Sequence, residues 1–159
     1  LRGIGVIAST TLLFGLLLGV SYSYRAAGAD EQPISRLDHA LVIGLAQALA
    51  LIPGTSRSGV TITASLFLGY NLATAARFSF LMSIPVIAGA LLLMLIKEFE
   101  LFFSSTNLAI TLIAMLVAAV SAYATIAFFV GLVTRVGMMP FVIYRVLLAL
   151  ILFSILVFV

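Results

Sequence analysis

Residues 53–59 read Pro-Gly-Thr-Ser-Arg-Ser-Gly and are followed by Val60 and Thr61. The guanidinium of Arg57 stays charged at any working pH and presents a planar fork of donors that suits phosphate oxygens. Ser56 and Ser58 flank it with hydroxyls. Thr61 follows Ser58 by three residues, which on a helix places the two on one face. Gly54 and Gly59 let the backbone approach a bulky anion closely. A helix starting near Ser58 would aim its free N–H groups and positive dipole end at the same spot. Arginine, hydroxyls and a helix N-terminus together make an oxyanion or phosphate cradle. The plainer reading is an arginine that snorkels to a headgroup while Ser and Thr bond back to the preceding turn. A charge inside a helix break in an apolar segment argues for the cradle, because intramembrane charges are rare and costly.

The elements around this turn must lie in lipid. Of 159 residues, 64% are hydrophobic and 8% charged, and the mean hydropathy is +1.35. A soluble domain carries roughly a quarter of its residues charged. Long apolar runs, rather than alternating ~10-residue segments, exclude a β-barrel. The absence of cysteine excludes disulfides and thiolate metal sites, and the single His39 excludes any site built on two imidazoles. The modest net charge of +3 sets orientation in a membrane and does not suit nucleic-acid binding. The expected fold is therefore an all-α polytopic membrane protein.

Membrane spans need ~20 apolar residues. Residues 3–24 qualify, and Gly15 and Gly19 there suit close helix contact. Residues 25–38 form a polar loop in which Ser35 or Asp38 could cap the next helix. Residues 39–70 contain two apolar runs too short to cross alone, joined by the Pro-Gly turn, and so predict a re-entrant helix pair. Irregular backbone at that depth needs protein or a water-filled cavity around it. Further spans are expected at 78–96, kinked at Pro85, at 108–130 and at 139–158. These make about four transmembrane helices plus one re-entrant helix-loop-helix. The positive-inside rule then puts the 25–38 loop in the cytoplasm and the C-terminus outside. The first residue is Leu and no signal peptide is evident, so the chain is expected to be a fragment.

The stretch from Gly44 through Gln47 and Pro53-Gly-Thr-Ser-Arg-Ser-Gly59 to Thr61 resembles the second signature of the undecaprenyl-diphosphate phosphatases, the BacA/UppP bacitracin-resistance family. The stretches Ala76–Pro85 and Met139–Arg145 resemble later helices of that family. The resemblance implies removal of the terminal phosphate of the C55 polyprenyl diphosphate, a cell-wall lipid carrier, in the bacterial plasma membrane. It implies one half and more of an inverted-repeat fold with broken helices meeting near the midplane. It places Arg57, Ser56, Ser58 and Thr61 in the catalytic centre, and Gly54, Thr55, Arg57, Gly59 and Gln47 in substrate binding. It also implies a divalent cation, Mg²⁺ or Ca²⁺, with ligands outside this chain. The expected partners are the polyprenyl diphosphate and the membrane, with no nucleic acid; self-association into a homo-oligomer stays open.

The resemblance covers only part of the family's pattern. The family's first signature, a Glu-rich helix with a Ser-Ser-Thr-Gly-His turn, has no match here, and phosphoryl transfer needs a nucleophile and charge neutralisation together. Gln47 is neutral, and Asp30, Glu31, Asp38, Glu98 and Glu100 all fall in loops. His39 reads as an interface or capping residue, roughly 20 Å of helix from the turn. The 159 residues alone are thus expected to bind diphosphate weakly and turn nothing over. The alternative from another class is a secondary transporter or lipid-carrier flippase segment, since broken helices facing an anion serve both.

Overall fold

The computed structural model describes residues 3–25, 33–97 and 108–158. Asp30, Glu31, Glu98 and Glu100 lie outside the described residues, as does the 26–32 part of the polar loop. Among the described residues every regular element is helical. In chain order these are α1 (Ile4–Arg25), α2 (Leu37–Ala48) ending in the 3₁₀ turn Leu49–Leu51, α3 (Arg57–Phe67), α4 (Leu72–Leu81), α5 (Ser83–Lys97), α6 (Leu108–Val136) and α7 (Met139–Phe158).

Four segments are long and apolar enough to cross a membrane: Ile4–Tyr24, Leu72–Lys97, Ala109–Val136 and Met139–Phe158. The second starts earlier than the apolar run suggests, because Asn71 caps α4 by accepting the Thr74 N–H at 2.7 Å. Arg77 then sits exposed within the segment rather than at its edge. A break at Met82 divides that segment into α4 and α5. Pro85 accounts for it: the ring lacks an N–H and crowds the carbonyl of Leu81, four residues back. Neither Ser35 nor Asp38 caps α2. Its N-cap is Arg36, without a side-chain cap bond. Asp38 instead pairs with Arg36 at 2.6 Å, and hydrogen bonding to that guanidinium holds its carboxyl down at about 2.

Helix α1 packs most extensively on α7 and next on α3. The α1–α7 register is antiparallel and depends on small residues. A Cβ on Gly5 would meet Leu156, one on Gly15 the Cβ of Arg145 at 3.1 Å, and one on Gly19 Cγ1 of Val142 at 3.1 Å. The Gly15–Gly19 pair therefore lets two backbones approach, as small-residue faces do in membranes. A core of Leu18, Ile62, Leu66, Ala75, Ala76, Val133, Met138 and Val142 joins α1, α3, α4, α6 and α7. Most remaining large apolar side chains on α5, α6 and α7 point outward. Outward apolar surface of this extent suits lipid and not water.

Helices α2 and α3 form a hairpin. Their outer ends are tied by His39 Nδ1 and the Tyr70 hydroxyl at 2.8 Å, with the rings edge to face, so the chain returns to the end it left. At 1.5 Å per residue, α3 is roughly 17 Å long and too short to cross a ~30 Å hydrocarbon core. The turn at its tip, residues 52–56, abuts Ile7, Thr10 and Thr11 of α1 and Arg145 of α7.

Candidate functional site

Breaking a helix strips backbone groups of their partners, and in lipid these must be recovered from side chains. The tip of the hairpin recovers them carbonyl by carbonyl. Ile52 accepts from the Thr55 hydroxyl at 2.7 Å. Pro53 accepts from the Thr10 hydroxyl at 2.6 Å, the shortest of that hydroxyl's three candidate acceptors. Gly54 accepts from the Thr11 hydroxyl at 3.2 Å and from Arg145 Nη2 at 2.7 Å. Thr55 accepts from the same Nη2 at 3.0 Å. Two threonines of α1 and one arginine of α7 thus hold the turn, and sequence reading found none of the three in this role. Arg145 carried a readable signal, since it is an ionisable residue inside an apolar helix. Thr10 and Thr11 carried almost none, as lone hydroxyls in membrane helices commonly bond back along their own helix.

Two backbone conformations shape the tip. Gly54 has φ +90°. Ser56 has φ 65° and ψ 114°, the one left-handed non-glycine among the described residues. Its hydroxyl caps α3 by accepting the Gly59 N–H at 3.3 Å. A strained residue of this kind costs about 1–3 kcal/mol and is kept where its placement is used. Ser56→Gly should therefore raise unfolding stability by about 1 kcal/mol, because glycine relieves the strain and loses only a few tenths as an N-cap. Denaturant unfolding of the chain in detergent reads the gain, and a loss of stability would show that Ser56 is unstrained.

Beside the tip lies a cavity of about 400 Å³. Gly54, Ser56, Ser58, Gly59, Thr11 and Arg145 are the polar and glycine part of its lining. Ile7, Leu18, Phe129, Met138, Phe141, Tyr144 and Leu148 form the rest. Phe129 stacks between Phe80 and Phe141, with ring centroids 5.5 and 5.1 Å away, so the apolar wall is braced from α4.

The remaining residues of the turn lie around this cavity rather than in it. Thr55 is fully buried and its hydroxyl is spent on Ile52. Thr61 is fully buried too; its hydroxyl meets Ser79 on α4 at 2.7 Å and the carbonyls of Arg57 and Ser58. Thr61 thus couples the start of α3 to α4, while Ser58 faces the cavity. Arg57 begins α3 half-buried, and its Nη1 is buried with no partner among the described residues; Gln47 Oε1 on α2 is likewise buried and unpaired among them. Buried orphan donors cost about 1–3 kcal/mol and more when charged. A buried guanidinium N–H at a helix N-terminus is therefore poised for an anionic acceptor. No group of three or more His, Cys, Asp or Glu that could hold a metal ion occurs among the described residues. The tip offers hydroxyls, carbonyls and two guanidinium groups, a set that does not fit a divalent cation by itself.

The chain matches the family model described as "Bacitracin resistance protein BacA" over residues 1–151. It is 53% identical over 152 residues to the undecaprenyl-diphosphatase of Alcanivorax borkumensis, covering 93% of this chain and 55% of the relative. It is 48% identical over 153 residues to that of Saccharophagus degradans, with 93% and 55% covered. Against that of Hahella chejuensis it is 53% identical over 150 residues, with 93% and 54% covered. The chain spans about half the length of the curated relatives it matches. With four apolar helices of membrane-spanning length and a family match along nearly all of its length, this multi-pass membrane protein belongs to the BacA family.

Proposed function

We propose that this protein takes part in removing the terminal phosphate of a polyprenyl diphosphate, undecaprenyl diphosphate in the first instance, and that the hairpin tip binds the diphosphate. In the reaction water adds to the terminal phosphorus and the bond to the bridging oxygen breaks, giving the lipid monophosphate and inorganic phosphate. The observation that carries the reading is the cavity itself. Its lining combines two serines, two glycines and a guanidinium with aliphatic and aromatic side chains. Such a site suits an amphiphile with an anionic head and a hydrocarbon tail. At about 400 Å³ it would enclose the head and the first part of a chain, leaving the remainder in the bilayer. Relatives at about half identity carry the name undecaprenyl-diphosphatase, which supports the same chemistry.

Within this reading Ser56, Ser58, Gly54 and Gly59 line the seat of the diphosphate, and the Arg57 guanidinium beside it turns its unspent donors to the head. Thr55 and Thr61 shape the backbone and helix packing that present those groups, and Gln47 offers its side-chain amide to the substrate. The α2–α3 hairpin enters the bilayer and returns. The family likeness supports the bacterial plasma membrane, and the charge distribution supports a cytoplasmic 25–38 loop and an outward C-terminus. A divalent cation, Mg²⁺ or Ca²⁺, would take its protein ligands from groups other than those described, and no step of the reading depends on it.

The test is phosphate release from undecaprenyl or farnesyl diphosphate by membranes carrying the complete protein. Release that scales with the protein and stops at the monophosphate is expected. Movement of intact diphosphate lipid across the bilayer without phosphate release would make it a transporter and overturn the proposal.

A further inference from the structure

We infer that Arg145 is a second cationic ligand for the diphosphate head, in addition to clamping the turn; the inference rests on the proposed diphosphate site. Both hydrogen bonds that the guanidinium makes within the protein use Nη2, to Gly54 and Thr55. Nη1 and Nε donate to no protein group among the described residues. Arg145 is only 9% exposed, and it lines the cavity together with Ser56 and Ser58.

The position of Nη1 is fixed by the space above Gly59. A Cβ placed there would fall 2.7 Å from Arg145 Nη1 and 3.3 Å from the Ser56 hydroxyl. The missing side chain of Gly59 thus lets Arg145 Nη1 pack close on its backbone, next to the Ser56 hydroxyl and the first turn of α3. The backbone of α1 is close-packed on the other side, where a Cβ on Gly15 would meet the Arg145 Cβ at 3.1 Å, and the two Nη2 bonds hold the guanidinium to the turn. A clamp alone would need only Nη2. A guanidinium locked in a mostly apolar wall with two nitrogens left over is arranged for an anion. Arg57 at the start of α3 and Arg145 on α7 then offer one guanidinium for each phosphate of a diphosphate. A monophosphate can engage only one of them fully.

The test uses the chain in nanodiscs and compares its Kd for farnesyl diphosphate with that for farnesyl monophosphate. The wild type should prefer the diphosphate by on the order of 10-fold or more. Arg145→Gln, whose amide can still donate to a turn carbonyl, should weaken diphosphate binding by ~10-fold and monophosphate binding little, so the preference collapses. A purely structural role would weaken both ligands alike and leave their ratio unchanged, which would overturn the inference. Gly59→Ala provides a second variant should Arg145→Gln not fold: its methyl would fall 2.7 Å from Nη1 and push the guanidinium out of reach of the head, and the same loss of preference is expected. If the preference survives in the variants that fold, the inference fails. If Arg57→Ala abolishes the preference and Arg145→Gln does not, the inference fails while the diphosphate reading stands. If the wild type binds neither ligand, both fall.

Discussion

Arg57→Ala should lower turnover of a prenyl diphosphate by on the order of 10²–10³-fold while leaving the thermal stability of the protein unchanged or slightly higher. The two halves of that expectation have different origins. The loss follows from the place of Arg57 at the N-terminus of α3, where its charge adds to the free N–H groups and dipole of the helix. Charge that develops on transferring phosphoryl oxygens is stabilised by donors fixed in advance, and removing one such donor from a dry site is costly. The unchanged stability follows from what Arg57 lacks. Its side chain makes no hydrogen bond to the described residues, and Nη1 is buried without a partner, so truncation removes a desolvation cost and breaks no bond. Phosphate release and thermal unfolding measured on the same preparation of the complete protein separate the two. A variant that loses activity only in proportion to its stability would assign Arg57 a structural role.

Gly54→Ala should be the most damaging single change at the tip, costing about 2–5 kcal/mol. Two independent penalties add. At φ +90° an alanine is strained whatever the room around it, and its Cβ would lie 2.6 Å from the carbonyl oxygen of Ile7 and against the hydroxyls of Thr10 and Thr11. The turn would have to withdraw from α1, losing the Thr10 and Thr11 bonds to Pro53 and Gly54 and misplacing both carbonyls that hold Arg145. Shaving α1 cannot rescue it, because Ile7 contributes backbone and the strain is intrinsic. Unfolding in detergent would read the loss, and full recovery in a Gly54→Ala, Thr10→Ala double variant would show that crowding by Thr10 alone mattered.

The turn was legible because its chemistry is local. Proline and glycine break a helix, and an arginine between serines in an apolar stretch stands out against its surroundings. The four long apolar segments were legible for the same reason, as composition alone dictates them. What escaped the sequence is pairing at long range. Thr10 and Thr11 reach residues 43 positions away, and Arg145 reaches the turn across 90 and 91 positions. No local pattern announces those partners. Helical spacing put Ser58 and Thr61 on one face, yet the spacing does not say which neighbour that face meets. The packing of α4 against α3 decides it, turning Thr61 to Ser79. The bound of the second span shows a smaller gap of the same kind. Arg77 looked like an edge, whereas Asn71 starts the helix six residues earlier and leaves Arg77 exposed within it.

The most direct measurement of the central claim, that the hairpin tip seats the diphosphate head, is protection from thiol labelling. The chain contains no cysteine, so Ser58→Cys introduces a single thiol at the cavity and Leu37→Cys a single exposed control at the start of α2. Each is labelled with a small charged thiosulfonate with and without farnesyl diphosphate. The expected result is that farnesyl diphosphate slows labelling at 58 in a saturable way, that farnesol does not, and that labelling at 37 is unaffected by either. Equal protection at 58 by farnesol and by the diphosphate, or none by either, would contradict it.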